Sequence, residues 1–184
     1  MENNKKNLIF LTGFMASGKS TVGPHLAKAL GYDFIDLDRL IEKREGKSIE
    51  EIFVTGGEPY FRKVESEELS LITSKNHHCV VSLGGGTVTR EKNRIIVKSR
   101  GILIYLNTNL DDIFRRVQQG EVKRPLLNPS GRLSDNDKLR EAIERLFQQR
   151  EKFYLESDFE VNTSGKSVKE TVDEILDKIK GRVE

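Results

Sequence analysis

Short apolar runs alternate with stretches of helical spacing along the chain. Leu8 to Leu11 reads as a buried strand, and Thr21 to Leu30 as a helix whose Val22, Leu26, Ala29 and Leu30 share a face, with Gly31 as its stop. Phe34 to Leu37 is a second short strand. Helical stretches follow near Leu40 to Lys43 and Ser48 to Val54. Gly56-Gly57 breaks that pattern, and Glu58-Pro59 opens a further helix through Phe61, Val64, Leu69 and Ile72. Cys79 to Leu83 is a third strand, running into three glycines. Arg90 to Lys98 is helical, Gly101 to Leu106 is the most apolar strand, and Leu110 to Gln119 is helical again. From Gly120 to Asp135 the periodicity fails, as in a mobile functional loop. Lys138 to Tyr154, Phe159 to Val161 and Val168 to Ile179 complete the pattern as helix, strand and helix.

Five strands alternating with helices predict an α/β fold with a mostly parallel sheet. The strands are continuously apolar rather than alternating, which fits a sheet covered on both faces.

Composition narrows the function classes. The 184 residues suit one domain. Lys and Arg number 31 against 29 Asp and Glu, so the chain lacks the strong positive balance of a dedicated nucleic-acid binder. The longest apolar run, Ile102 to Leu106, is far too short to span a membrane. No signal-peptide pattern follows the polar start, and the single cysteine, Cys79, forms no internal disulfide, so a reducing, cytoplasmic location is expected. With no exposed apolar stripe in view, a monomer is expected. His77-His78-Cys79 lacks complementary ligands at usable spacing and reads as a surface turn leading into a buried strand thiol.

The chemistry starts at Gly13-Phe14-Met15-Ala16-Ser17-Gly18-Lys19-Ser20, which fits G-x-x-x-x-G-K-[ST] between a buried strand and a helix. Small residues there let backbone N–H groups curl around phosphate oxygens, and the helix N-terminus adds unpaired donors. Lys19 carries a charge to the β and γ phosphates, and the Ser20 hydroxyl is placed to ligate Mg²⁺. A nucleoside triphosphate with Mg²⁺ is the expected ligand.

Two classes compete for that nucleotide: a switch or motor, and a small kinase. The Asn-Lys-x-Asp segment of a guanine-specific switch is missing after Leu106. Instead of the Asp-Glu of many motors, the third strand ends in Gly84-Gly85-Gly86, whose backbone donors suit an anionic or polyhydroxylated ligand. Asp36 and Asp38, two apart at the end of the second strand, point the same way in extended chain. One carboxylate is suited to the Mg²⁺ shell and the other to accepting a proton from an attacking hydroxyl. The alternative is that Asp38 only caps a helix starting near Arg39. Arg62, Arg124 and Arg150 are candidates for recognising carboxylate or phosphate, Arg124 standing in the irregular stretch.

Together these pieces resemble the shikimate kinase family. They are Gly13 to Thr21, Phe34-Ile35-Asp36-Leu37-Asp38, Gly57-Glu58-x-x-Phe61-Arg62-x-x-Glu65, Leu83-Gly84-Gly85-Gly86, Arg124-Pro125-Leu126-Leu127 and Arg150-x-x-x-Tyr154. The resemblance implies a three-layer P-loop kinase fold with a five-stranded parallel sheet in order 2-3-1-4-5. It implies one domain over 1–184, with a substrate-binding region at about 37–65 and a mobile lid at about 118–135. The implied activity is transfer of the ATP γ-phosphoryl group to the 3-hydroxyl of shikimate. Carried over by position, Gly13, Ala16, Ser17, Gly18, Lys19, Ser20 and Thr21 hold ATP, with Arg116 on the adenine and Arg124 arriving with the lid. Ser20 and Asp36 belong to the Mg²⁺ shell. Asp38 holds the substrate hydroxyls and is the base, and Lys19 and Arg124 complete the catalytic set. Arg62 and Arg150 hold the substrate carboxylate, Gly84, Gly85 and Gly86 meet the substrate through backbone, and Phe53 and Phe61 wall the pocket.

The chain departs from the family at two places. Ala16 stands where the family often has Gly, and Pro24 where it often has Arg. Pro24 is expected to kink the first helix. A gluconate kinase and a nucleotide-binding regulator without catalysis are the alternatives. Against the first stands the arginine pair with its glycines, and against the second the retention of Lys19, Asp38 and Arg124.

Overall fold

The computed structural model describes residues 7–75, 78–119 and 136–183. Five parallel strands, β1 (Leu8–Thr12), β2 (Asp33–Asp36), β3 (Cys79–Ser82), β4 (Ile102–Asn107) and β5 (Phe159–Asn162), form one sheet in the order β2-β3-β1-β4-β5. This is the expected order. The register sets Leu11 beside Ser82 and Ile104, and Asp36 beside Ser82, so the carboxyl ends of the strands finish at one edge.

Side chains alternate across a strand, and here both faces are covered. Leu8 and Phe10 of β1, Cys79 and Val81 of β3, and Leu103 and Tyr105 of β4 belong to one buried cluster. Ile9 and Leu11, Val80, and Ile102, Ile104 and Leu106 belong to the other. On the first face lie α2 (Leu37–Glu45), α3 (Ile49–Lys75), α4 (Glu91–Arg100), α5 (Leu110–Gln119) and α6 (Asn136–Tyr154), contributing Ile41, Ile52, Leu69, Val97, Ile113 and Ile143. On the second lie α1 (Lys19–Leu30) and α7 (Val168–Ile179), contributing Val22, Leu26, Val172 and Ile175. Helix, sheet and helix make three layers. Among the described residues, no helix is long and apolar enough to cross a membrane.

Four expectations shift. The second strand ends at Asp36 rather than Leu37, and Leu37 already begins α2. The cap of α2 is Asp36, whose side chain accepts from the N–H groups of Asp38 and Arg39, so Asp38 lies in the helix's first turn rather than on a strand. The break at Gly56-Gly57 is a kink inside α3, where Gly57 takes φ 73°, ψ 173°, and helix resumes at once because Pro59 suits a first turn. Pro24 lies within α1, which runs as one helix past it.

Candidate active site

A cavity of about 830 Å³ opens at the carboxyl edge of the sheet. That is ample for a nucleotide and a small acceptor together. Its lining runs from the loop between β1 and α1 to the glycines after β3, with side chains from α2, α3, α5, α6 and α7.

At one end the chain between β1 and α1 forms the phosphate loop. Gly13 takes φ 140° and Gly18 φ 98°, backbone that L side chains rarely adopt. Ala16 sits at φ 58°, so the methyl group noted in the sequence is held in a left-handed conformation that glycine would take without strain. Lys19 Nζ donates to the carbonyls of Gly13 and Phe14, both at 2.8 Å, and to Ser17 Oγ at 3.4 Å. Arg116, from α5, donates to the Ala16 carbonyl at 2.9 Å. Ser20 Oγ donates to Asp36 Oδ2 at 2.6 Å. A hydroxyl and a carboxylate are the hard oxygen donors that a small divalent cation prefers, and Mg²⁺ takes few protein ligands beside phosphates and waters. Ser20 and Asp36 therefore fit that ion.

At the other end Asp38, Arg62, Glu65 and the three glycines converge. Arg62 is 7% exposed and Glu65 fully buried. Arg62 Nη1 donates to both Glu65 oxygens at 3.0 Å, and its Nε to Glu58 Oε1 at 3.2 Å. Burial alone would lower the Arg62 pKa, but the carboxylates of Glu65 and Glu58 outweigh it and hold it above the usual value. Thr87 Oγ1 donates to Glu65 Oε1 at 2.7 Å, tying this pair to the turn after the glycines. The glycines are needed for close approach. A Cβ on Gly86 would stand 2.3 Å from Arg62 Nη2, and one on Gly84 2.9 Å from both Asp38 Oδ1 and Glu65 Oε1. Burial, then Glu65 and Asp36, push the Asp38 carboxyl up to about 6, against the pull of Lys19 and Arg62.

Phe53 and Phe61 line the same cavity with ring centroids 4.9 Å apart. Arg150, 7% exposed on α6, also lines it, and its charge acts on the Tyr154 hydroxyl one helical turn along. Arg44 on α2 reaches Glu67 and Glu68 on α3, and Tyr60 donates to Glu45, so the helix carrying Asp38 is latched to the helix carrying Arg62.

The expected site residues thus come together in one cavity, with Gly13 just behind it under the Lys19 ammonium. Arg124 lies outside the described residues, as does the stretch 120–135 expected to be the lid. Sequence reading missed Thr163, Lys166, Val168 and Thr171, which also line the cavity. No motif marks them. It also gave no role to Glu65 and Tyr154, although both stand in quoted segments.

A phosphate loop feeding a helix, an acidic pair where the next strand turns into a helix and buried arginines across the cavity define a P-loop kinase of small molecules. The comparisons narrow this. The family model described as shikimate kinase matches residues 15–180. The shikimate kinase of Geobacter metallireducens is 40% identical over 174 residues, covering 95% of this chain and 92% of the relative. A structure of the shikimate kinase from Acinetobacter baumannii in complex with shikimate superposes with TM-score 0.86 at 32% identity, covering 96% of this chain and 94% of that one. The shikimate kinase structure from Aquifex aeolicus gives 0.79 at 38% identity, covering 95% and 96%. This chain belongs to the shikimate kinase family.

Proposed function

We propose that the chain transfers the γ-phosphoryl group of ATP to the 3-hydroxyl of shikimate. The observation that carries this reading is the pairing of two buried arginines, Arg62 and Arg150, with an Asp whose carboxyl is pushed up to about 6, across one cavity from the phosphate loop. Membership of the family and the shikimate complex of the Acinetobacter relative support it.

Shikimate carries one carboxylate and several hydroxyls. Arg62 and Arg150 bind the carboxylate, and backbone of Gly84, Gly85 and Gly86 meets the ring, so one hydroxyl is set toward the nucleotide. The gain is positional. Asp38 accepts the proton of that hydroxyl as its oxygen attacks phosphorus. Lys19 leaves the Gly13 and Phe14 carbonyls for the β and γ phosphates and takes up developing charge. Ser20 and Asp36 hold Mg²⁺, which neutralises phosphate charge when bound. Arg116, with Thr163, Lys166, Val168 and Thr171, takes the adenine end. Arg124 brings a further cation to the transferring group. Phe53 and Phe61 exclude water, a competing nucleophile, from the acceptor.

Phosphorus NMR of the product tests the regiochemistry. A single monoester on the 3-hydroxyl is expected. Ester at another hydroxyl, or inorganic phosphate as the main product, would overturn this orientation of the acceptor.

A further inference from the structure

The two arginines are held in different ways. Arg62 is fixed by carboxylates on its own helix. Arg150 has no carboxylate partner among the described residues; it stands one helical turn before Tyr154 on α6, and its charge acts on the Tyr154 hydroxyl. Tyr154 is fully buried and stacked on Tyr105 of β4, with centroids 5.2 Å apart. Its hydroxyl also donates to the Gly85 carbonyl at 2.5 Å. Burial pushes that hydroxyl's pKa up to about 12, so it stays a proton donor across the working range.

Gly85 is a crossing point. A Cβ there would stand 3.5 Å from Arg150 Nη1 and 3.6 Å from both the Gly13 carbonyl and the Met15 nitrogen of the phosphate loop. The hydroxyl of Tyr154 therefore bonds the glycine backbone at the very peptide that the Arg150 guanidinium approaches. A peptide unit is planar, so fixing the Gly85 carbonyl also fixes the direction of the Gly86 N–H.

We infer that Tyr154 is a positioning residue for the acceptor: its hydroxyl sets Arg150 and the Gly85–Gly86 peptide in register with each other. The inference rests on the reading of Arg150 as a carboxylate-binding residue. Tyr154 is fully buried and does not line the cavity. It replaces, for Arg150, the service that Glu65 gives Arg62, and it does so without a charge that would compete with the substrate carboxylate.

Tyr105 supplies a matched control. It is the other half of the same stacked pair, and its buried hydroxyl donates to Asn107 Oδ1 at 3.2 Å instead. Steady-state kinetics on the full chain would compare Tyr154→Phe, Tyr105→Phe, Arg150→Lys and the Tyr154→Phe/Arg150→Lys double variant. Tyr154→Phe is expected to raise the KM for shikimate about tenfold and leave the KM for ATP within about twofold, with Tyr105→Phe unchanged in both. The double variant is expected to be little worse than Arg150→Lys alone, because the two act as a unit. An unchanged shikimate KM in Tyr154→Phe, with Arg150→Lys impaired, would overturn the role of Tyr154 and leave the proposed function standing. Equal loss in Tyr105→Phe, or equal loss for both substrates, would reduce Tyr154 to a packing residue and overturn it too. Full shikimate affinity in Arg150→Lys would instead remove the carboxylate assignment, and this inference with it.

Discussion

The donor and acceptor ends of the cavity are built by different means. The donor end is one continuous segment, Gly13 to Thr21, shaped by backbone, with Lys19 parked on the loop's own carbonyls. The acceptor end is assembled from α2, α3, the turn after β3 and α6, and its parts are fixed by buried side-chain bonds: Arg62 to Glu65, Thr87 to Glu65, Tyr154 to Gly85. A triphosphate presents much the same oxygens in any enzyme, so backbone amides on a fixed loop suffice. An acceptor with one carboxylate and several hydroxyls needs charges at set separations. That requires long side chains, and long side chains need partners to stay put.

The sharpest way to separate the ends is to remove one charge at the acceptor without changing shape. Asp38→Asn should lower kcat by about 10²–10⁴-fold while ATP binding, followed by calorimetry, stays close to wild type. The same change should raise the thermal midpoint at pH 7, because the folded chain no longer carries an ionised carboxylate that its surroundings disfavour. Lost activity with lost stability would mean Asp38 is a structural residue.

Removing the partner rather than the ligand residue comes next. Glu65→Ala leaves Arg62 with only the half-exposed Glu58 among the described carboxylates, and should cost about 3 kcal/mol in denaturant unfolding. Its shikimate KM should rise with that of ATP little changed. A variant equally impaired for both substrates would dissolve the distinction between the ends.

The pH dependence follows. Activity should fall about tenfold per unit as pH drops below about 6, where Asp38 takes its proton. Its effect on stability has the opposite sign. The folded carboxyl holds its proton more tightly than the unfolded one. Its contribution is therefore full below the ordinary carboxylate range and lost as pH rises through about 6. The difference between wild type and Asp38→Asn in unfolding free energy, followed from pH 4 to 7, isolates it.

The smallest effect belongs to the donor end. Ala16→Gly relieves the left-handed alanine at φ 58° but loosens the unfolded chain. The net gain should be a few tenths of a kcal/mol, up to about 1, in denaturant unfolding. A loss would mean the Ala16 methyl packs usefully in the loop.

What could be read without coordinates follows the same division. The phosphate loop is legible because its physics is local. The sheet order came with the family resemblance, while the strands themselves showed as apolar runs. Asp36 and Asp38 were legible as a pair, and the family resemblance divided their roles, but which of them caps α2 was not legible. Whether β2 ends at Asp36 or Leu37 decides which carboxylate caps α2, and element ends are blurred by a residue or two. Glu65 and Tyr154 stood in quoted segments without roles, because a role that consists of holding another side chain depends on a contact. Thr87 lies 22 residues from Glu65 and Gly85 69 from Tyr154, separations that no periodicity encodes. Thr163 and Lys166 sit where a short strand meets the last helix, with nothing in composition to set them apart.

The central claim is that the acceptor end selects shikimate for the phosphoryl group delivered by the donor end. The direct measurement is ADP release from ATP and Mg²⁺ with shikimate, gluconate, AMP or no acceptor, for wild type and Asp38→Asn in parallel. The account predicts release that depends on shikimate and is lost in Asp38→Asn. Release without any acceptor, or with gluconate in place of shikimate, would contradict it.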